Sequence, residues 1–285
     1  HNCWDKPTWW VNRHIIKEAT KDGRCRYSHL QQMKPYTGPA TVFISHPWGS
    51  KWGDMVLAAC HGAHRNRVVW VDLFAVRQWP GRDADLDFRR VIGRCQALIL
   101  SVSPVEELAT TTFQTPQKRD ILMAAFVASP EYAKAKRRVP FFRLWCMVEV
   151  SAAVDNKKPV VVKSGSALER HASKEYGYTQ MNMGNMMENI HPYINVESTE
   201  CTDQEDYVRE IAVIRDYEDG INHVNKVVRA VAESAVKAAS VGHMEVDSAA
   251  CGETGAILQL RMQACSTLTE ERKAATILTI ACAGG

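Results

Sequence analysis

Three short stretches of this 285-residue chain hold the side chains best suited to act together on a ligand. The first is Ser45-His46-Pro47-Trp48-Gly49, the second runs from Asp72 through Gln78 to Gly81, and the third runs from Phe142 through Arg143, Trp145 and Cys146 to Glu149. Between them they offer a serine, the carboxyl groups of Asp72 and Glu149, the Gln78 amide and the indoles of Trp48, Trp79 and Trp145, with Trp70 just ahead of Asp72. That combination is enough for a nucleotide pocket. Each group also has a plain structural use. Glu149 can pair with Arg143 or a strand-end group, Asp72 and Gln78 can fix their own loop, and the tryptophans can fill a core with the indole N–H satisfied. His46 has a side chain whose ordinary pKa suits acid–base work, but one histidine after a strand is more often structural. Cys146 has no identifiable paired histidine and reads as a buried thiol. Cys60, His61 and His64 have metal-like spacing, with the two histidines able to share a helix face. No carboxylate or second cluster matches them, so a solvated helix end is the preferred reading and no metal is expected.

The elements that must position these groups follow from hydrophobic periodicity. Thr41 to Ile44, Arg67 to Leu73, Ala97 to Val102 and Pro159 to Val162 are short apolar, β-branched runs that read as strands. Between them, Trp52 to His64, Leu86 to Arg94, Lys118 to Ala128 and Leu144 to Val154 repeat apolar residues at helical spacing. Near-continuous apolar strands alternating with helices require a parallel sheet buried on both faces, hence an open α/β sandwich. In such sheets ligands bind at the carboxyl ends of the strands, which is where the three stretches fall.

All eight tryptophans and all seven phenylalanines lie at or before Trp145, so the first part builds an aromatic core and the remainder packs with smaller residues. Residues 1–39 read as an arm with one short helix near Trp9 to Ala19, and 40–165 as the α/β domain. Residues 166–240 read as a helical extension packed on that domain, and 241–285 as a C-terminal helical appendage. Within the extension, a Met- and Asn-rich segment, Met181 to Met187, precedes helices near Asp203 to Tyr217 and Asp219 to Ala239. Asp219 is placed to cap the second of these, and Ile221, Val224, Val228, Val231 and Ala235 form its apolar stripe. The appendage reads as two small-residue helices, Thr254 to Cys265 and Thr269 to Ala281.

A net charge of +3 leaves no field to recruit nucleic acid. The longest apolar run, Ile121 to Ala128, is too short to span a bilayer, so no membrane insertion is expected. Nine scattered cysteines with no CxxC pair fit neither a disulfide framework nor a zinc ribbon and point to a reducing, cytoplasmic or other intracellular setting. The chain starts at His1 without a basic-then-apolar leader, as a processed chain or a piece of a longer one would.

The set Ser45-x-x-Trp48-Gly49, then Trp70-Val71-Asp72 with Gln78 six residues on, then Arg143-x-Trp145 with Glu149, resembles the heterokaryon-incompatibility (HET) domain of fungi. It is also similar to the wider Toll/interleukin-1 receptor (TIR)-like superfamily, whose plant members carry a Trp-Cys-x-x-Glu segment like Trp145-Cys146-Met147-Val148-Glu149. The resemblance covers about residues 40–165. It implies a flavodoxin-like open parallel sheet of about five strands with helices on both faces, here followed by the C-terminal helical extension. It further implies homotypic self-association and, in some members, cleavage of NAD at its nicotinamide–ribose bond. By the resemblance Glu149 is the catalytic position, and Ser45, His46, Trp48, Gly49, Asp72, Gln78 and Trp145 surround NAD as ligand or substrate, with no further cofactor required. A lone carboxylate suits that reaction, because it stabilises the oxocarbenium-like state while nicotinamide leaves from an already cationic pyridinium without a second acid. The sequence departs from the plant pattern where Phe142-Arg143-Leu144 stands in place of a serine, at Val148, and at Trp79-Pro80-Gly81.

The first reading is therefore an intracellular signalling or assembly module that self-associates and binds or hydrolyses NAD. The alternative is a non-enzymatic subunit of a larger assembly on the same fold, which the flexible methionines of 181–187 and the alanine-rich tail would suit. A nucleoside-processing transferase is a third.

Overall fold

A computed structural model describes residues 3–64, 67–105, 108, 116–170, 175–241 and 279–280. The sheet begins with β1 (Val42–Ser45), β2 (Val68–Trp70) and β3 (Ala97–Val102), each no longer than its apolar run. β1 pairs in parallel with both others, Phe43 opposite Trp70 and Leu98. β4 (Val160–Arg170) lies parallel to β3 up to Ser164, then turns antiparallel to β5 (Glu175–Gln180) from Gly165 onward. The order is β5-β4-β3-β1-β2, with β6 (Thr279–Ile280) adding a two-residue parallel pairing beyond β2. The chain adds β2 on one side of β1 and then β3 on the other, so the winding order reverses at β1 and a crevice is expected at the carboxyl ends of β1 and β3.

Two departures from the sequence reading stand out. The sheet is mostly parallel rather than purely parallel, and it does not stop at Gly165. Gly165 is where β4 leaves β3 and takes up β5. A Cβ there would lie 2.4 Å from the Thr179 carbonyl oxygen, so only glycine lets the two strands approach. β5 buries Tyr178 and stacks Tyr176 on Trp4 with centroids 5.1 Å apart.

Side chains alternate across the sheet and both faces are apolar. Phe43, Trp70, Leu98 and Leu100 join one core cluster, and Val42, Ile44, Val69, Val71 and Ile99 join the other. The second face is covered by α3 (Trp52–Cys60), through Trp52, Met55 and Val56, and by the N-terminal arm through Val11 and Ile16. The arm is one helical path made of α1 (Thr8–Val11), a π-type turn (Asn12–Ile16) and α2 (Lys17–Thr20). After β2 comes the single turn α4 (Asp72–Ala75). The first face is covered by α5 (Phe88–Arg94), capped by the Asp87 side chain, and by α8 (Leu144–Asp155). Between β3 and α8 lie α6 (Pro116–Val127) and α7 (Pro130–Lys136), the latter capped by Ser129.

The extension docks on that same face. The Met-rich segment folds into α9 (Gly184–Ile190), where Met183, Met186 and Met187 are buried in the core rather than offered to a partner. α10 (Gln204–Asp216) is capped by Asp203, and α11 (Gly220–Val241) inserts Val224, Val227, Val228 and Val231 into the first cluster. Asp219 takes a left-handed conformation, and its carboxylate accepts from Asn222 Nδ2 at 2.6 Å. The helix expected at 254–265 lies outside the described residues. Of the one expected at 269–281 only Thr279–Ile280 is described, and it is extended. No helix among the described residues is long and apolar enough to cross a membrane.

Candidate functional site

β1 ends at Ser45 and the chain enters a tight loop in which Gly49 has a packing duty: a Cβ there would sit 2.3 Å from the Arg137 carbonyl oxygen. The loop is pinned from outside by the N-terminal arm, since Trp9 N–H donates to the Trp48 carbonyl at 3.1 Å and Thr8 N–H to that of Ser50 at 3.0 Å. Trp48 in turn donates its indole N–H to Asp72 Oδ2 at 2.7 Å. Asp72 opens α4, and its Oδ1 accepts from Leu73 N–H at 2.6 Å. Gln78 is consumed in holding this loop. Its Nε2 donates to the carbonyls of Asp72 (3.3 Å) and Val76 (3.0 Å), and its Oε1 accepts from Asn12 Nδ2 of the arm at 3.2 Å.

The third wall comes from α8, where Trp145, Cys146 and Glu149 share one face at helical spacing. Arg143 precedes the helix and does not pair with Glu149. Its guanidinium donates to Glu200 Oε2 at 3.4 Å and to Thr202 Oγ1 at 2.9 Å, while Leu144 N–H donates to the Glu200 carbonyl at 3.1 Å. These bonds bring 200–206 over the cleft as a fourth wall. Arg82, from the loop after β2, ties it down through Asp203 (2.9 Å) and Asp206 (3.1 Å).

The walls enclose a cavity of about 190 Å3 lined by His46, Trp48, Asp72, Gln78, Trp145 and Glu149 among others. Ser45 is buried and does not line it, and Gly49 lies in an outer groove of about 660 Å3 that shares Trp48, Arg143, Glu200, Cys201 and Thr202 with the inner cavity. The sequence reading therefore located the inner cavity but missed Arg82, the 200–206 wall and Trp9, which lines the outer groove.

The inner cavity carries five carboxyl groups, Asp72, Glu149, Glu200, Asp203 and Asp206, against the two guanidiniums of Arg82 and Arg143. Both guanidiniums are engaged by the 200–206 wall. Among the described ion pairs Asp72 and Glu149 have no cationic partner. Burial, reinforced by the negative charge of Asp72, pushes the Glu149 carboxyl well above its ordinary range, and the nearby Ser45 hydroxyl works in the opposite direction. That hydroxyl is not placed well enough to make a full hydrogen bond, which leaves Ser45 Oγ unsatisfied. Burial lowers the His46 pKa, against the pull of Asp72, and its Nε2 has no partner. Burial likewise pushes the Cys146 thiol up, further raised by Glu149, so it is no thiolate nucleophile. Trp70 N–H is also unsatisfied, unlike that of Trp48.

The Cys60 region is a different environment. α3 ends at Cys60, so His61 and His64 do not share a helix face, and His61 Nδ1 lies 3.4 Å from Lys163 Nζ. Among the described residues no group of three or more His, Cys, Asp or Glu side chains is arranged to hold a metal ion.

Comparison with known protein families, with curated proteins and with solved structures finds no match to this chain.

Proposed function

We propose that this chain binds NAD in the cleft at the carboxyl edge of the sheet and cleaves its nicotinamide–ribose bond, on a flavodoxin-like domain of TIR/HET type. The observation that carries the reading is Glu149, a carboxyl group buried at the cleft wall with no basic partner among the described ion pairs and a second carboxylate, Asp72, acting on it. A cavity with more carboxyl groups than guanidiniums favours a cationic occupant, and the pyridinium ring of NAD is one. The order β2-β1-β3-β4, with its reversal beside β1, supports the flavodoxin-like assignment.

In this reading the C1′–N bond breaks with its electron pair leaving on nicotinamide, which departs neutral. Glu149 in its ionised form stabilises the ribosyl cation, water adds through its oxygen to C1′, and one proton is released to solvent. Asp72, held by the Trp48 indole and Leu73 N–H, is fixed to accept from a hydroxyl of the ribose. Self-association supplies the signalling or assembly role.

The test is to incubate the full chain with NAD over a range of protein concentrations and measure free nicotinamide. Release is expected, and Glu149→Gln should lower its rate by about a hundredfold or more with folding intact, the usual loss for one electrostatic contact to a transition state. Release unchanged in Glu149→Gln would remove this mechanism. No release at any concentration would remove the enzymatic reading and leave a binding or scaffold role.

A further inference from the structure

The outer groove differs from the inner cavity in both chemistry and origin. It is lined by aromatic and cationic groups, Trp9, Trp48, Tyr207, Arg137 and Arg143, with Glu200 as its carboxylate. Trp9 is 48% exposed although it is a large apolar side chain, and its backbone is fixed to the Trp48 carbonyl. The side chain thus stays at the groove without being buried by the fold. Arg137 is also open, with 70% of its side chain exposed and a long 3.8 Å contact to Glu200. An exposed indole on a hydrogen-bonded backbone, in one groove with an exposed guanidinium, is the pairing that takes a base and a phosphate.

Resting on the NAD reading above, we propose that the outer groove is the subsite for the adenylate half of the dinucleotide, with the Trp9 indole as stacking platform for the adenine and Arg137 meeting the pyrophosphate. The N-terminal arm is then part of the ligand site and not an appendage to it. Two cavities in contact through Trp48 and Arg143, one with five carboxyl groups against two guanidiniums and the other with two guanidiniums against the single carboxylate of Glu200, match a ligand with a cation at one end and phosphates in its middle. A mononucleotide carrying only the pyridinium end would reach the inner cavity alone.

The experiment compares kcat/KM for NAD and for nicotinamide mononucleotide in the wild-type chain, Trp9→Ala, Trp9→Phe and Arg137→Ala. Trp9→Ala should lower the ratio of the NAD value to the mononucleotide value about tenfold, in line with base–aromatic stacking elsewhere. Trp9→Phe should restore most of it, and Arg137→Ala should lower it in the same sense. A ratio unchanged in Trp9→Ala overturns the proposal, as does an equal loss on both substrates. Should the wild type cleave neither compound, the cleavage reading fails separately, and the subsite is read by equilibrium dialysis of AMP. Binding of AMP by the wild type and about tenfold weaker binding by Trp9→Ala then supports it. Absent or equal binding overturns it.

Discussion

Replacing Trp48 by phenylalanine keeps an aromatic ring between the two cavities but deletes the N–H that Asp72 Oδ2 accepts at 2.7 Å. Hydrogen bonds to charged acceptors contribute about 1.5–3 kcal/mol, and because both side chains are only half-buried the lower end applies, about 1.5 kcal/mol. Asp72 Oδ1 retains its bond from Leu73 N–H in the single variant, so the loss is confined to one contact. A double-mutant cycle with Asp72→Ala isolates that contact from the cap and from the lost indole area, since both cancel in the coupling term. Urea unfolding is the assay. With a slope near the upper end for small proteins, about 3 kcal/mol per molar, the coupling corresponds to about 0.5 M in midpoint. Effects that add to within about 0.5 kcal/mol would refute the claim that Trp48 fixes Asp72. If the same pair orients the ribose, the cycle repeated on the Kd for NAD should show coupling of about tenfold.

Glu149→Gln should raise stability at neutral pH while leaving it unchanged in acid. A carboxyl whose folded pKa is raised contributes stability that is fully present below its ordinary value of 4.5 and is lost as pH rises through the folded value. The difference in urea midpoint should therefore grow with pH above 4.5, and a pH-independent difference would contradict it. Gly49→Ala forces a Cβ against the Arg137 carbonyl and should cost about 1–3 kcal/mol by denaturant unfolding; a neutral result would show that the loop yields freely. Met186→Ala should cost about 2–5 kcal/mol if α9 is core, whereas near-zero cost with altered self-association by sedimentation would return the methionines to an interface role.

How much of this was legible depended on whether the signal was local. β3 is the run Ala97 to Val102 and nothing else, because an apolar strand buried on both faces announces itself residue by residue. β2 is shorter than its apolar run, since Asp72 begins a helical turn instead of ending a strand, and that turn is what sets its carboxylate in the cleft. β5 was missed because Glu175-Tyr176-Gly177-Tyr178-Thr179-Gln180 alternates only through two tyrosines. The burial of α9 is readable in principle, since Met183, Met186 and Met187 recur at three- and four-residue spacing, but a flexible methionine suits an adaptable interface as well as a core, so composition alone does not decide between them. At the site, strand-end logic reached His46, Trp48, Asp72 and Gln78. It did not reach 200–206, which a pairing of Arg143 with Glu200 across 57 residues brings over the cleft. Pairing over that separation leaves no local pattern.

The burial of Glu149 would be a liability in a protein that used it only for packing. A buried carboxyl group beside another carboxylate loses solvation and gains no cation among the described ion pairs, and a glutamine or leucine would avoid that cost. Asp203 and Asp206 show how this fold treats carboxylates that serve structure: each meets Arg82 within about 3 Å. Glu200 is matched in the same way by Arg143. The two groups left unmatched, Asp72 and Glu149, are those that the strand ends and α8 direct to one cavity from opposite elements. In the proposed function the missing counter-charge arrives with the ligand. A pyridinium entering the cavity favours the ionised form of Glu149, the form that a ribosyl cation requires, and so opposes the burial that raises its pKa in the free protein. The arrangement that weakens the fold at neutral pH is then the one that makes the cleft selective for a cation.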